Sequence, residues 1–320
     1  MKGKSDSLEK IREIISAHEN IVLCGHTNPD GDAIGASLSL ASSLEKMGKN
    51  VKVLLEPYGK KYDVIPNSRL IAEKDTIKEA ELFIALDCGD MGRLQGVADI
   101  FRSSKCTMNI DHHASNSFFG EYNYVEENAS STSEVVFKLL QGHFPMDGEI
   151  AAGLYAGLIY DTGGFRHTST TPFTMQVAGE LMSYGIAYTK IYNALFDSRT
   201  FSEMKIMGKA FHKAERYFDG KVICTSITME DIEECKGTNK ELDAIINYLK
   251  GVDEVKIACF LYEKNEMDVK ASFRGNDGYD VCALAQKFGG GGHVKAAGCT
   301  IEAPIEQAKK MVFAEIEKML

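Results

Sequence analysis

The chain is expected to fold as two α/β domains, the first built on a parallel sheet and the second smaller. Three observations predict this. Short apolar runs alternate with segments of helical periodicity, and such alternation implies parallel strands joined by right-handed crossovers. The length of 320 residues favours two domains, and the pattern breaks at Asp197-Ser198-Arg199 before an αβ pattern starts again. Clusters of Asp and His follow the apolar elements, and in a parallel α/β sheet ligands bind outside the carboxyl ends of the strands. The expected division is residues 1–195, a linker helix over 196–215 with the break near Ser198 to Lys213, and residues 216–320.

Taken in order, Ser7 to His18 reads as an amphipathic helix and Asn20 to Gly25 as the first strand. Asp32 to Met47 has apolar residues at helical spacing and stops at Gly48. Val51 to Leu55, Glu81 to Leu86 and Lys105 to Ile110 are the next strands. Ser131, with Glu134 three residues on, predicts a capping box and a helix to about Leu140. Glu149 to Tyr160 is a helix rich in small residues, which predicts close packing. Helices are expected over Pro172 to Tyr184, Tyr188 to Phe196 and Phe201 to Tyr217. Beyond them come a strand at Lys221 to Ile227 and a helix at Asn239 to Leu249. Val255 to Tyr262 and Met267 to Phe273 read as a hairpin around Glu263-Lys264-Asn265-Glu266. Tyr279 to Lys287 is a helix, Cys299 to Ile301 a short strand, and Ile305 to Leu320 a closing helix.

Composition narrows the function. A net charge of −10 disfavours long nucleic acid, which needs a basic track, but still allows a small anionic ligand held by metals and a few arginines. No window has the unbroken apolar length of a membrane span, and the polar start is not a signal peptide. Eight cysteines form no Cys-x-x-Cys pair and mostly sit in apolar runs. They read as reduced core thiols of a cytoplasmic protein, without zinc or disulfides.

The chemistry concentrates in HTNPDGD, which carries His26, Asp30 and Asp32 among the turn formers Asn28, Pro29 and Gly31. An ordinary reading of this stretch alone is an Asp-rich turn with Asp32 as helix N-cap. Three more clusters change the weighing: Asp87-Cys88-Gly89-Asp90, Asp111-His112-His113, and Asp161-Thr162-Gly163-Gly164. Six or more carboxylate and imidazole ligands from separate segments suggest two divalent ions sharing bridging carboxylates. A donor set without thiolate suits Mn²⁺, with Mg²⁺ or Co²⁺ as substitutes. Two such ions roughly 3.5–4 Å apart are a recurring device for phosphate-ester hydrolysis.

Together these four clusters resemble, in order, the four motifs of the DHH phosphoesterases, and GGGGHVKAAG at 289–298 resembles the glycine-rich signature of their DHH-associated domain. The resemblance covers essentially the whole chain. It implies one ion held by His26, Asp30, Asp87 and Asp161, and another held by Asp32, Asp87, His112 and Asp161. Asp111 would orient an imidazole. His113 would contact the scissile phosphate or help protonate the leaving oxygen, and Asp90 would be structural or supporting. The active site is expected in the cleft between the domains. Pyrophosphatases of the superfamily carry a different second domain, large single-strand exonucleases need extra domains, and the cyclic-dinucleotide phosphodiesterases of membranes carry spanning segments. The remaining small stand-alone branch acts on very short oligoribonucleotides from an end and on pAp, with some members acting on linear or cyclic dinucleotides. A homodimer is compatible with the sequence.

In the second domain, the glycines before His293 let backbone amides approach a phosphate or base closely, and His293 and Lys295 add donors. Gly291, Gly292, His293 and Arg274 are the expected substrate contacts, the last through a bidentate phosphate pair. Arg166 either touches a phosphate or is structural. The rivals are a phosphatase acting mainly on mononucleotide bisphosphates and a catalytically silent nucleotide sensor.

Overall fold

The computed structural model describes residues 4–77, 80–94, 96–242, 244–276 and 278–320. They form two compact units, Met1–Ser198 and Arg199–Leu320.

The first unit begins with α1 (Leu8–Ala17), β1 (Asn20–Cys24), α2 (Gly31–Lys46), β2 (Asn50–Leu54) and β3 (Leu82–Leu86). It continues with α3 (Ala98–Ser103), β4 (Cys106–Asp111), β5 (Tyr122–Val125), α4 (Thr132–Leu140) and α5 (Gly148–Asp161). It ends with α6 (Pro172–Ser183), α7 (Tyr188–Tyr192) and a π-turn over Asn193–Asp197. The strands form one parallel sheet in the order β2-β1-β3-β4-β5. Both faces are covered, so successive residues of a strand enter opposite cores. Ile21, Leu23, Ile84 and Leu86 pack with α2, α4 and α5, whereas Val22, Cys24, Phe83 and Ala85 pack around Phe101 of α3. This two-sided burial is why the strands read as unbroken apolar runs. The strand order reverses between β1 and β3, so a crevice is expected at their carboxyl ends.

The close packing expected of the small-residue helix is present. A Cβ on Gly35 of α2 would overlap the Gly153 carbonyl oxygen of α5 and lie 3.1 Å from the Gly157 nitrogen. A Cβ on Gly157 would overlap the Ser133 hydroxyl and lie 2.6 Å from Asp32 Oδ1. The α2–α5 contact therefore reaches the region of the acidic clusters.

The second unit contains α8 (Phe201–His212), β6 (Glu215–Tyr217), β7 (Val222–Ile227), α9 (Met229–Glu234) and α10 (Ile245–Lys250). They are followed by β8 (Ile257–Asn265), β9 (Asp268–Gly275), α11 (Val281–Gln286), β10 (Gly291–His293), β11 (Ala296–Glu302) and α12 (Ile305–Glu317). Its mixed sheet runs β10-β11-β9-β8-β7-β6, with β7 and β8 parallel and the other pairs antiparallel. Ile206 and Ala210 of α8 are buried with Ile223 and Ile227 of β7.

Several expectations are corrected. The helix expected to reach Tyr217 stops at His212, and Glu215–Tyr217 is an edge strand. The helix expected over Asn239 to Leu249 is a 3₁₀ turn at Asn239–Glu241 followed by α10. The hairpin turns at Asn265 and Asp268, whose side chains bond at 2.7 Å, so β8 runs on through Glu263 and Lys264. The capping box at Ser131 is half formed. Its hydroxyl accepts from the Glu134 amide, but the Glu134 carboxylate accepts instead from the Ser130 hydroxyl at 2.6 Å and from Thr174 at 2.7 Å, tying α4 to α6. Among the described residues, no helix is long and apolar enough to cross a membrane.

Candidate metal centre

The site is assembled at the carboxyl ends of β1, β3 and β4 and at the ends of three helices. After β1 the chain turns through Asn28, at φ +53°, and enters α2. The N-cap is Asp30, not Asp32: Asp30 Oδ1 accepts from the Asp32 and Ala33 amides at 2.9 and 3.2 Å. This leaves Asp30 Oδ2 3.8 Å from His26 Nε2. His26 Nδ1 donates to the Thr27 carbonyl at 2.8 Å, so Nε2 is the nitrogen presented to the carboxylates. Asp32, in the first turn of α2, is fully buried. Its Oδ2 and Oδ1 accept from the Thr132 and Ser133 amides at 2.6 and 2.9 Å, so the N-terminus of α4 holds it.

Asp87 lies at the centre. It follows β3 directly, at φ +58°, a conformation that Asp tolerates better than most residues. One oxygen, Oδ2, is 3.5 Å from His26 Nε2. The other, Oδ1, is 3.6 Å from His112 Nε2 and accepts from the Thr132 hydroxyl at 3.0 Å. His112 Nε2 is also 3.1 Å from Oδ2 of Asp161, the last residue of α5. That approach is off the hydrogen-bonding direction, and the buried nitrogen has no hydrogen bond among the described residues. The ligand-capable atoms fall into overlapping groups: His26, Asp30 and Asp87; Asp32, His112 and Asp161; and Asp87, Asp111, His112 and His113.

The electrostatics of the bare site call for positive charge. Burial, then the charges of Asp87 and Asp161, pushes the Asp32 carboxyl well above the usual range. Burial and Asp87 also raise Asp161. Burial opposes the charged form of His26, yet the neighbouring carboxylates of Asp30 and Asp87 outweigh it and push the imidazole up to about 10. His112 is likewise pushed up to about 10, with burial outweighed by Asp161 and the charges of Asp32 and Asp87. Crowded buried carboxylates, an imidazole nitrogen lacking a hydrogen bond, and the absence of thiolate donors all fit divalent cations held by oxygen and nitrogen.

Asp111 is fully buried with both oxygens engaged, Oδ1 by His113 Nδ1 at 2.7 Å and Oδ2 by Asn116 Nδ2 at 2.6 Å. Burial opposes its charge, but these partners hold the carboxyl below its ordinary value. His113 is raised chiefly by its bond to Asp111. Asp90 lies apart, exposed, accepting from the Gly92 amide at 2.7 Å. Arg166 is exposed and donates from Nε to the Gly163 carbonyl at 2.8 Å.

Within the second unit, Gly291 pairs with Gly298, Gly292 with Ala297, and His293 with Ala296, which in turn pairs with Arg274. The glycine run is thus largely a β-hairpin edge, and it sets His293 and Arg274 in one row across three strands. Arg274 Nη1 also donates to the Phe273 carbonyl at 3.0 Å. Sequence reasoning missed Thr132 and Asn116. The run of Ser and Thr before Glu134 was a signal for Thr132, because buried hydroxyls need partners.

The DHH family, N-terminal domain, matches residues 20–159, and the DHHA1 domain matches residues 219–320. The chain belongs to the DHH family. A protein of Thermus thermophilus named bifunctional oligoribonuclease and PAP phosphatase NrnA is 29% identical over 319 residues, covering 98% of this chain and 95% of that protein. A Bacillus subtilis protein of the same name is 27% identical over 315 residues, with 95% and 96% covered. Among solved structures, an exopolyphosphatase-related protein from Bacteroides fragilis superposes with a TM-score of 0.87 at 29% identity, covering 96% of this chain and 94% of that one. The parallel first sheet and the mixed second sheet are therefore those of a DHH domain and a DHHA1 domain.

Proposed function

We propose that this DHH-family hydrolase cleaves very short oligoribonucleotides to mononucleotides and removes the 3′-phosphate of adenosine 3′,5′-bisphosphate, pAp, using two Mn²⁺ ions. The observation that carries this reading is the division of Asp87, which turns one oxygen toward His26 and the other toward His112. A carboxylate so placed suits two neighbouring ions. One ion is assigned to His26, Asp30, Asp87 and Asp161, and the other to Asp32, Asp87, His112 and Asp161. The NrnA relatives, similar along nearly their full lengths, support the choice of substrates.

Ions bound there neutralise charge on a phosphoryl group and make water acidic enough to act at neutral pH. The chain's own groups do the rest. The α4 amides and the Thr132 hydroxyl hold Asp32 and Asp87 in place. Asp111 fixes the His113 ring, so that its Nε2 serves the leaving oxygen. Arg274 and His293 of the DHHA1 unit hold the nucleotide, with Gly291 and Gly292 admitting close backbone approach. Arg166, already bonded to Gly163, completes the phosphate contacts. The eight free cysteines fit a reducing compartment, and we place the protein in the cytoplasm.

The test is one substrate panel with Mn²⁺: pAp, pApA, longer oligoribonucleotides, inorganic pyrophosphate and cyclic di-AMP, compared by kcat/KM, with metal content measured on the same protein. The expected order puts pApA and pAp first, with two ions per chain. Preference for cyclic di-AMP or pyrophosphate would replace the substrate assignment, and binding of nucleotide without turnover would replace the hydrolase.

A further inference from the structure

We propose that Asn116, backed by Asn109, is a positioning residue that sets His113 against the oxygen leaving the phosphate; the inference rests on the hydrolase reading above. Asn116 is buried, with its side chain committed at both ends. Its Oδ1 accepts from the Phe118 amide at 2.6 Å, which identifies the other end as the NH₂ group. That nitrogen donates to Asp111 Oδ2 at 2.6 Å and to Asn109 Oδ1 at 2.8 Å, and lies 3.2 Å from the Cys88 carbonyl. Asp111 is then free to meet His113 only through Oδ1, at 2.7 Å from Nδ1. The proton on Nδ1 points at the carboxylate, so Nε2 is the nitrogen offered outward on a ring whose side chain is 44% exposed.

Asn109 extends the frame. It is fully buried, and its Nδ2 lies 3.1 Å from the Cys88 carbonyl and 3.3 Å from the Ala85 carbonyl. Those two carbonyls bracket Asp87, whose backbone is held at φ +58°. One pair of amides therefore ties the turn bearing Asp87 to the dyad bearing His113. A buried amide pair that satisfies a carboxylate and two strand-end carbonyls is a costly arrangement to keep for packing alone.

In the reaction, a water oxygen forms a bond to phosphorus while the bond from phosphorus to the ribose oxygen breaks. The electron pair stays on the ribose oxygen, which takes a proton from His113 Nε2. The proton lost by water goes to solvent, from which His113 is recharged. A p-nitrophenolate leaving group is stable as the anion and needs no such proton. The experiment compares pApA with the p-nitrophenyl ester of thymidine 5′-phosphate, with Mn²⁺, in wild type, His113→Ala and Asn116→Ala. Asn116→Ser, whose hydroxyl is too short to span to Asp111, serves should the alanine variant not fold. The Asn116 variants are expected to lose about ten- to a hundredfold in kcat on pApA, the usual scale for a residue that orients a functional group. Their KM should stay within about twofold and their loss on the p-nitrophenyl ester within about threefold, in the pattern of His113→Ala. Equal losses on both esters would mean that Asn116 merely supports the fold and would overturn the proposal, as would wild-type kcat on pApA. A wild-type protein that turns over neither ester would instead sink the hydrolase reading.

Discussion

Alanine at Gly157 and alanine at Gly35 form a matched pair of perturbations of the α2–α5 contact. Both positions are inside helices with ordinary φ, so the substitutions add a methyl group without backbone strain, and helix propensity favours alanine by about 1 kcal/mol. The methyl group at 35 would strike the Gly153 carbonyl, which cannot rotate away. The methyl group at 157 would strike the Ser133 hydroxyl, which can rotate, but also Ser133 Cβ at 2.9 Å and Asp32 Oδ1 at 2.6 Å, which cannot yield without moving α4 or the carboxylate. Overpacking of this kind typically costs about 1–3 kcal/mol, or a Tm lowered by roughly 2–12 °C for a unit of this size. Both variants should therefore melt earlier, by comparable amounts. Only Gly157→Ala pushes on Asp32, whose two amide bonds place it beside His112 and Asp161. Losing one charge-assisted bond costs about 1.5–3 kcal/mol, so occupancy of the ion assigned to Asp32 should weaken by roughly ten- to a hundredfold. The assays are calorimetric melting in EDTA, Mn²⁺ titration, and kcat on pAp per folded molecule. The reasoning fails if Gly157→Ala binds Mn²⁺ and turns over like Gly35→Ala.

Asp87→Asn keeps the side-chain shape, the Thr132 hydrogen bond and a residue tolerant of positive φ, and removes the shared charge together with one of the two ligand oxygens. It should lower kcat/KM at least about a hundredfold, about 2.7 kcal/mol, and activity above about a tenth of wild type would refute the bridging role. Asp231 offers a pH test in the second unit, where, among the described residues, it makes no contact with a candidate ligand of the first. Burial raises its carboxyl, but Lys213, the Thr228 amide and Lys209 outweigh this and hold it at about 2 against an ordinary 3.8. A depressed carboxyl stabilises the folded state above its unfolded pKa and loses that contribution as pH falls through its folded pKa, here between roughly pH 4 and 2. Asp231→Asn should thus cost about 1–2 kcal/mol at pH 7, discounted because the lysines are partly exposed, and the gap from wild type should close near pH 2. A gap independent of pH would show that the ion pairs contribute nothing. Arg274→Lys should weaken pApA binding by roughly tenfold while leaving Mn²⁺ stoichiometry intact, because an ammonium lacks the planar fork; loss of a metal ion would contradict its assignment to the nucleotide.

Sequence patterning was enough for the parallel strands because both faces of β1 and β3 are buried, so composition alone marks them. It failed at β5, where Tyr122-Asn123-Tyr124-Val125 is a short edge strand with alternating burial and polar neighbours. It failed again past His212, where helical spacing continues but the chain turns into the edge strand β6. The ligand clusters were legible because His and Asp at the ends of apolar runs are conspicuous. What no pattern carried was the assignment of jobs within them. Asp30 and Asp32 are both acidic residues at the start of a helix, and only the fold makes one the N-cap and buries the other against α4.

That difference follows from where backbone donors are available. A helix N-terminus offers several amides with no partner inside the helix, and the site uses two such ends. Asp30 takes the amides of its own helix, which fixes one oxygen and leaves the other toward His26. Asp32 takes the amides of α4, a hundred residues away in sequence, and so depends on the whole sheet and on the glycine contact between α2 and α5. The two amides on Asp30 occupy Oδ1 and leave Oδ2, and each Asp32 oxygen accepts one amide and keeps a second lone pair, so both groups remain able to bind a cation. A site built this way holds its acidic groups close together before any cation arrives, and the carboxyls of Asp32 and Asp161 are raised by burial first and then by the repulsion that results. A bound cation relieves that repulsion. Mn²⁺ should therefore raise the Tm by more than any monovalent salt at equal ionic strength, and an equal rise with NaCl would mean that screening, not site binding, stabilises the unit.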